Sequence, residues 1–322
     1  MKGAGRWVAI FASAAVLAAC GHGTNITNAD APSQAGTADK PAAARPAALG
    51  TPVAVTLPGT YEFAMQSAQG KDYKIFVAVP ESKPPAEGFP VLYLLDGNAY
   101  FIAAASAMKE QSTFAAISGI QPLIVVGVGY PGQYSLNRER RSFDFLPPAS
   151  STGTGQFAAL GASPGGADTF LDFLVNELRP ALAARYPIDL SRQSLAGHSL
   201  GGYFALHALL HRPAAFNSYA AISPSIWWDD ARLLKEAQAQ LPSLTNAKPA
   251  VDLLLAVSPQ EMSAYPDRSA MMLSGARNMQ AILAAAPQGV RMQYQELPGE
   301  NHISTNLVTM SAILRQASGH RR

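Results

Sequence analysis

The sequence predicts an α/β fold in which helices cover both faces of a mostly parallel central sheet. Segments with the pattern of strands alternate along the chain with segments that carry an apolar stripe at helical spacing. Two of the strand segments, 90–96 and 123–129, are apolar without alternation. Strands that are covered by helices on both faces have this pattern.

A hairpin is predicted to precede the parallel strands, because 60–67 and 73–80 alternate in polarity on either side of the short segment AQGKD. The later predicted strands are 194–198, 218–223, 251–258 and 290–297. The predicted helices cover about 167–186, 200–211, 229–240, 269–286 and 303–316. Ligands of such sheets bind outside the carboxyl ends of the strands, so functional residues are expected in the loops that follow them.

Residues 1–20 have the pattern of an export signal. Lys2 and Arg6 precede an apolar stretch, 7–19, that is too short to span a membrane comfortably. The stretch ends in LAAC, which resembles the lipobox of bacterial lipoproteins and makes Cys20 the acylated N-terminus. Ordinary secretory cleavage is the alternative. Both predict export, and the lipobox favours a periplasmic protein with a lipid anchor in a membrane.

Beyond the signal, 21–52 is rich in Ala, Pro, Gly, Thr and Asn and is predicted to be a flexible tether. The catalytic domain is predicted to cover 53–318. Within it, the Pro-, Ser- and Gly-rich segment 147–166 is either a mobile flap over the site or disordered. The net charge of +2, with 14% charged residues, gives no basic surface for nucleic acid. Cys20 is the only cysteine, which excludes a disulfide within the chain and a thiol nucleophile in the folded part.

The sequence GHSLG at 197–201 matches the motif G-x-S-x-G between an apolar strand and an apolar helix. This context predicts a sharp turn with Ser199 at its tip, where the backbone N–H of Leu200 can stabilise an oxyanion. Side chains at either motif glycine are expected to collide with neighbouring elements, and Gly202 is expected to let the helix lie close to the sheet. The alternative is a glycine-rich turn with a capping serine.

A serine hydroxyl needs a base, and His302 is the candidate, on the loop between the last strand and the last helix. In the chain order Ser, acid, His, the acid belongs on the loop after 251–258, where Glu261 and Asp267 both stand. Glu261 is favoured because it lies three residues past the strand. Asp267 and a Ser–His dyad without a strong acid remain alternatives. The alternative for His302 is a loop histidine on the surface with no role in catalysis.

A second oxyanion donor is expected after the strand 90–96, from the backbone N–H of Gly97 or Asn98. Asp96 is then predicted to anchor that turn. Among the other histidines, His198 is predicted to pack or hydrogen-bond beneath the site. His207 and His211 are expected on a helix surface: the segment HALLH lacks the Glu of H-E-x-x-H and no third ligand is expected near, so no metal site is predicted.

Five separated segments occur in an order that resembles a bacterial esterase family. They are VLYLLDGNAYF, RERRSFDFLPP, GHSLGGYFAL, SPSIWW and PGENHIS. The family includes esterases of trilactone siderophores of the enterobactin type and, more distantly, S-formylglutathione hydrolases and mycolyltransferases. The resemblance covers about 55–316. It implies an α/β-hydrolase fold, with Ser199 as nucleophile and His302 as base.

Trp227 and Trp228 follow the strand 218–223 and are expected near the mouth of the cleft, where their rings could hold acyl or catechol groups. The alternative is that one is a packed core residue and the other a surface ring.

Arg138 and Arg140 lie beyond the strand 123–129 at the same edge and are candidates to pair with an anionic substrate. In the family this segment also braces the site, so Arg141 with Asp144 is a candidate structural ion pair.

These observations predict an exported serine esterase that needs neither a metal nor an organic cofactor. A siderophore trilactone, acted on for iron release, is the favoured substrate. A general short-chain carboxylesterase or acyltransferase is the rival within the same chemistry. A non-catalytic lipoprotein that binds a ligand is the rival from another class.

Overall fold

The computed structural model describes residues 49–133, 135–150 and 163–319. In this part of the chain, eight strands form one sheet in the order β1-β2-β4-β3-β5-β6-β7-β8. Strand β2 is antiparallel to both of its neighbours, and β3 to β8 are parallel to one another. The bounds are β1 Thr60–Gln66, β2 Asp72–Ala78, β3 Phe89–Leu95, β4 Ile124–Gly129, β5 Ile188–His198, β6 Ser218–Ile222, β7 Val251–Val257 and β8 Val290–Glu296.

Helices pack on both faces of the sheet. Their bounds are α1 Gly97–Thr113, α2 Ala115–Ser118, α3 Arg138–Phe145, α4 Ala167–Asp172, α5 Arg179–Ala183, α6 Leu200–His211, α7 Trp228–Thr245, α8 Pro266–Leu283, α9 Ser304–Val308 and α10 Met310–Ala317. A π-helical segment, Phe173–Leu178, joins α4 to α5. Helices α1 and α10 enclose one core with the sheet, and α4, α6, α7 and α8 enclose the other. In β5, Leu195 belongs to one core and Ala196 to the other, as expected for a strand buried on both faces.

The predicted α/β fold with a mostly parallel sheet is confirmed. Every predicted strand is present with its ends within two residues, except that β5 begins at Ile188 rather than at 194. The hairpin is confirmed by the antiparallel register that pairs Thr60 with Ala78. Three helices were not predicted: α1, α2 and α3. Helix α1 begins with Gly97 and Asn98. Because both residue types favour turns, the sequence pattern did not indicate the start of a helix there.

Three predicted features lie outside the described residues: the signal with Cys20, the tether up to 48, and the centre of the flap, 151–162. The described residues from Val55 onward belong to one compact unit. None of the helices in the described ranges has the length and apolar character needed to cross a membrane.

The order of the strands leaves a crevice at the carboxyl edge of the sheet. After β3 the chain crosses through α1 to β4 on one side, whereas after β5 it crosses through α6 to β6 on the other side. The loops that follow the adjacent strands β3 and β5 therefore leave in opposite directions. Asp96 stands directly after β3 and Ser199 directly after β5, so the topology brings these two turns to the place where such sheets bind ligands.

Candidate active site

Ser199 joins β5 to α6 with a backbone conformation that L-residues rarely adopt, φ 60° and ψ −116°. A conformation of this kind costs about 1–3 kcal/mol and persists only where the surroundings impose it. Here the backbone is held on both sides. The N–H of Ser199 donates to the carbonyl of Ile222 at 2.9 Å, and its carbonyl accepts from the N–H groups of Tyr203 at 3.0 Å and Ser225 at 3.1 Å.

Two glycines beside the serine are required by close backbone approach. A Cβ at Gly197 would overlap the carbonyl group of Gly201, and a Cβ at Gly202 would lie 2.9 Å from the carbonyl oxygen of Ile222. The expectation for Gly201 itself is wrong. A Cβ there would meet Leu95 at 3.5 Å, which is an ordinary van der Waals contact.

The structure brings Ser199, His302 and Glu261 into one hydrogen-bonded chain. The Nε2 of His302 lies 3.0 Å from the Oγ of Ser199, and its Nδ1 lies 2.6 Å from the Oε2 of Glu261. Because a carboxylate only accepts, Nδ1 carries the proton, and in the neutral ring Nε2 presents its lone pair to the hydroxyl. Asp267, the alternative acid, is exposed in the first turn of α8.

The carboxylate of Glu261 is buried and fixed from several directions. Its Oε1 accepts from the hydroxyl of Ser223 at 2.6 Å and from the N–H of Ser258 at 2.7 Å. Its backbone carbonyl accepts from the N–H of His302 at 2.8 Å, which ties the acid loop to the histidine loop. Sequence reasoning did not assign Ser223 or Ser258, although Ser223 opens the segment SPSIWW.

His198 lies beneath the site, as the sequence predicted, and holds the histidine loop. Its Nε2–H donates to the carbonyl of His302 at 2.5 Å, and its Nδ1 accepts from the hydroxyl of Tyr100 at 3.2 Å. Burial, with a smaller contribution from the neighbouring His302, lowers the pKa of His198 to about 3. The ring is therefore neutral at physiological pH, which fits one donated and one accepted hydrogen bond.

Asp96 anchors the turn after β3, and its partner is Arg141. The guanidinium of Arg141 binds both carboxylate oxygens of Asp96, at 2.9 and 2.8 Å, and both side chains are buried. One of its nitrogens also lies 3.4 Å from the carbonyl oxygen of His198. The pair thus links the turn after β3 to the end of β5. The backbone of Asp96 is left-handed, with φ 54°.

The proposed oxyanion donors stand at the starts of two helices. Leu200 is the first residue of α6, and Gly97 and Asn98 open α1. The first N–H groups of a helix have no acceptor within the helix. The two helix starts adjoin, because a Cβ at Gly201 would lie 3.7 Å from the Oδ2 of Asp96. The side chain of Asn98 is engaged elsewhere, with hydrogen bonds to the backbone N–H and carbonyl of Tyr130.

The arginine segment is paired differently from the prediction. Arg141 contacts Asp96, and it is Arg140 that lies near Asp144, at 3.5 Å. The guanidinium of Arg140 also lies over the rings of two tyrosines, Tyr73 at 5.1 Å and Tyr130 at 5.2 Å. Arg140 therefore makes contacts within the protein, and its assignment to substrate stays a prediction. Arg138 is exposed at the start of α3, and its contact with substrate stays a prediction.

The two tryptophans separate into a core residue and a partly exposed one. Trp228 is fully buried, edge-on to Tyr203 at 5.3 Å between ring centroids, so its placement at the cleft mouth is wrong. Trp227 is partly buried and borders an open pocket of about 290 Å³ that also involves Met271 and Asn278. It stands two residues after Ser225, whose hydroxyl lies 3.3 Å from that of the nucleophile candidate. Its role in substrate binding stays a prediction.

For the two histidines of α6, His211 is exposed as predicted, but two other parts of the prediction are wrong. His207 is buried, not on the surface, and its Nε2 lies 2.8 Å from the carboxylate of Asp168. A third group of metal-ligating type is also near, because the carboxylate of Glu236 lies 3.2 Å from the Nε2 of His211. This residue is distant in sequence and arrives on α7.

Comparison with known proteins identifies the family. The family model described as "Putative esterase" matches residues 66–315. The chain belongs to this esterase family. The protein is accordingly a carboxylic ester hydrolase with the α/β-hydrolase fold that the sequence predicted.

The similar proteins include esterases of siderophores. Ferri-bacillibactin esterase BesA of Bacillus subtilis is 36% identical over 275 residues, which cover 83% of this chain and 92% of that protein. The crystal structure of the BES protein from Bacillus cereus has a TM-score of 0.76 at 34% identity, covering 84% of this chain and 99% of that one. Siderophore hydrolase EstB from Aspergillus nidulans has a TM-score of 0.69 at 29% identity, covering 83% and 97%.

The glycine contacts predict a contrast between two neighbouring substitutions. Gly197→Ala forces a methyl group into the backbone of Gly201 and is expected to lower the free energy of unfolding by about 3 kcal/mol. Gly201→Ala places its methyl at ordinary contact distance and is expected to change stability by less than about 1 kcal/mol. Urea unfolding of both variants measures the difference. Equal stability of the two would contradict the steric argument.

The ion pair between Asp96 and Arg141 predicts a large cost when one partner is removed. Arg141→Gln leaves a buried carboxylate without its partner and is expected to destabilise the fold by about 3–5 kcal/mol. Arg277→Gln is the matched control, because Arg277 makes a similar two-pronged contact with Glu296 on the surface. The control is expected to cost much less, because solvent screens an exposed ion pair. Denaturant titrations of both variants measure the free energy of unfolding. A similar small decrease in both would contradict the prediction that the buried pair of Asp96 and Arg141 costs more to break than the surface pair.

Proposed function

We propose that this protein hydrolyses the ester bonds of a siderophore trilactone, with Ser199 as nucleophile, His302 as base and Glu261 as the acid that orients the base. The observation that carries the chemistry is the hydrogen-bonded chain of these three side chains at the carboxyl edge of the sheet. The presence of all three groups in reacting geometry disfavours a non-catalytic ligand-binding role.

The reaction follows from this geometry. The Oγ of Ser199 attacks the ester carbonyl carbon while its proton moves to the Nε2 of His302, 3.0 Å away. The carboxylate of Glu261 stabilises the imidazolium that forms. The N–H groups of Leu200 and of Gly97 or Asn98 hold the oxyanion. His302 then gives its proton to the leaving alkoxide, which leaves an acyl-enzyme. A water molecule attacks this acyl group in the same way, and His302 returns the proton to the Oγ as the carboxylic acid departs.

The substrate class is supported by the similar proteins and by the surface beside the base. The relatives named above include a ferri-bacillibactin esterase and a siderophore hydrolase, and a siderophore triacetylfusarinine C esterase of Aspergillus fumigatus is 41% identical over 194 residues. Ile303, which follows His302, is 64% exposed. Together with Trp227 it would offer apolar contact to the arms of a large substrate, and Arg138 would offer a positive charge.

The location of the reaction is part of the proposal. The charged start, the short apolar stretch and the sequence LAAC at 17–20 support export and acylation of Cys20. The protein would then act in the periplasm from a lipid anchor, on ferric siderophore that has already crossed the outer membrane. Hydrolysis of the trilactone there would weaken the hold of the ligand on iron.

Product analysis tests the substrate. The purified full-length protein is incubated with a ferric catecholate trilactone, and the products are identified by mass spectrometry beside a Ser199→Ala control. We expect the linear trimer and smaller fragments from the wild type only, with the rate in the variant lower by roughly 10⁴-fold or more. An intact trilactone, together with cleavage of short-chain acyl esters that Ser199→Ala abolishes, would keep the mechanism and reject the siderophore.

The two candidate acids provide a matched test of the mechanism. Glu261→Gln keeps the shape of the side chain but can favour the wrong tautomer of His302, so kcat is expected to fall by roughly 10³–10⁴-fold. Asp267→Asn, the same chemical change on the exposed neighbour, is expected to leave kcat near the wild-type value. Steady-state kinetics on a chromogenic ester measures both. The opposite ranking would assign the acid to Asp267, and little change in either variant would indicate a Ser–His dyad.

A further inference from the structure

A second cluster of ligating side chains lies on the face of the sheet that α6 and α7 cover. His207 and His211 stand one turn apart on α6, with ring centroids 4.4 Å apart, and Glu236 reaches them from α7. One possible ligand atom from each of these three residues lies within 4.8 Å of the other two. The cluster is separate from the ester site, because His207 lies eight residues along α6 from Ser199, roughly 12 Å at 1.5 Å per residue.

His207 is fixed in the tautomer that a metal ligand needs. The carboxylate of Asp168 accepts a hydrogen bond from its Nε2 at 2.8 Å, so the proton of the neutral ring is on Nε2 and the lone pair is on Nδ1. The ring of His207 is buried. Its Nδ1 is buried and has no hydrogen-bond partner among the residues that the structure describes. Because buried polar atoms nearly always have a partner, a buried lone pair without a donor is a candidate ligand for an ion.

Glu236 supplies an oriented negative charge. Its Oε1 accepts from the Nε of Arg232 at 2.6 Å, while its Oε2 faces the Nε2 of His211 at 3.2 Å. Arg232 thus fixes the direction of the carboxylate through Oε1, which leaves Oε2 turned toward His211.

We propose that His207 Nδ1, His211 Nε2 and Glu236 Oε2 bind one divalent transition-metal ion, for which Zn²⁺ is the fitting probe. Two imidazole nitrogens with one carboxylate oxygen form a donor set that this ion takes, with a fourth position left to water. The present 3.2 Å between His211 and Glu236 is close to the separation of roughly 3.3 Å between two ligands at about 2.0 Å from a tetrahedral ion. Asp168 then acts as the carboxylate that orients a ligating histidine.

The ion would be structural. It would tie α4, which carries Asp168, to α6 and α7 across one face of the sheet. Its place at the C-terminal end of α6 is favourable for a cation, because the free carbonyl groups there carry partial negative charge. It would stabilise the far end of the helix whose first turn follows Ser199.

Zinc binding to the purified full-length protein tests the proposal. After treatment with a chelator, the protein is dialysed against Zn²⁺ and its metal content and dissociation constant are measured. We expect one zinc per chain. His211→Gln and Glu236→Gln are expected to weaken binding by at least a hundredfold, and Asp168→Asn by roughly 10–100-fold. Glu110→Gln, the same change at an exposed site on α1, is the control and is expected to bind as the wild type does.

A second readout separates loss of the ligand from loss of the fold. At a Zn²⁺ concentration a hundred times the dissociation constant, the thermal midpoint of the wild type is expected to rise by about 5 °C, and that of His211→Gln to stay unchanged. Circular dichroism of the metal-free variants checks that they are folded. Absence of zinc in the wild type, or its full retention in both His211→Gln and Glu236→Gln, would overturn the assignment. A strict dependence of ester hydrolysis on the ion would overturn the structural role.

Discussion

The strained backbone of Ser199 is the constraint on which the site depends. A positive φ at a residue with a side chain is unfavourable, and the chain maintains it with hydrogen bonds to the end of β6 and to the loop after it. The turn also fits only because Gly197 and Gly202 allow backbone to approach backbone. The result is a hydroxyl at the tip of the turn, directly before the first free N–H groups of α6. The proposed nucleophile and the proposed oxyanion donor therefore both depend on the same local backbone geometry.

The other proposed catalytic groups are positioned by a buried polar network below this turn. His198 connects the two halves of that network, because it accepts from Tyr100 and donates to the carbonyl of His302. Its own carbonyl lies near the guanidinium of Arg141, which also holds the turn after β3. Each of these groups would be costly to bury alone. Linked in series, they satisfy one another and fix three separate loops relative to the sheet.

Sequence patterns predicted the features that are local, and missed those that depend on packing between distant elements. The motif around Ser199 and the periodicity of its flanks were enough to place the strand, the turn and the helix. The choice between Glu261 and Asp267 rested on distance from a strand end, and only the structure shows which carboxylate faces the histidine. The pairing of Arg141 with Asp96 joins residues 45 positions apart, and nothing in the local pattern of either segment specifies it.

The burial of His207 is predictable from the composition of its helix. Helix α6 is apolar on nearly all sides, and a helix of this kind is buried as a whole, so a histidine in its middle is expected to lie in the interior. An interior imidazole needs a partner for each nitrogen, whereas its neighbours in sequence offered none. Its carboxylate partner, Asp168, comes from α4, and Glu236, which contacts His211, comes from α7. The same buried helix thus presents free N–H groups beside the ester site at one end and a cluster of lone pairs at the other. The helix dipole favours negative charge at the first end and positive charge at the second. An oxyanion at the ester site and a cation at the cluster would therefore both be stabilised by the same helix.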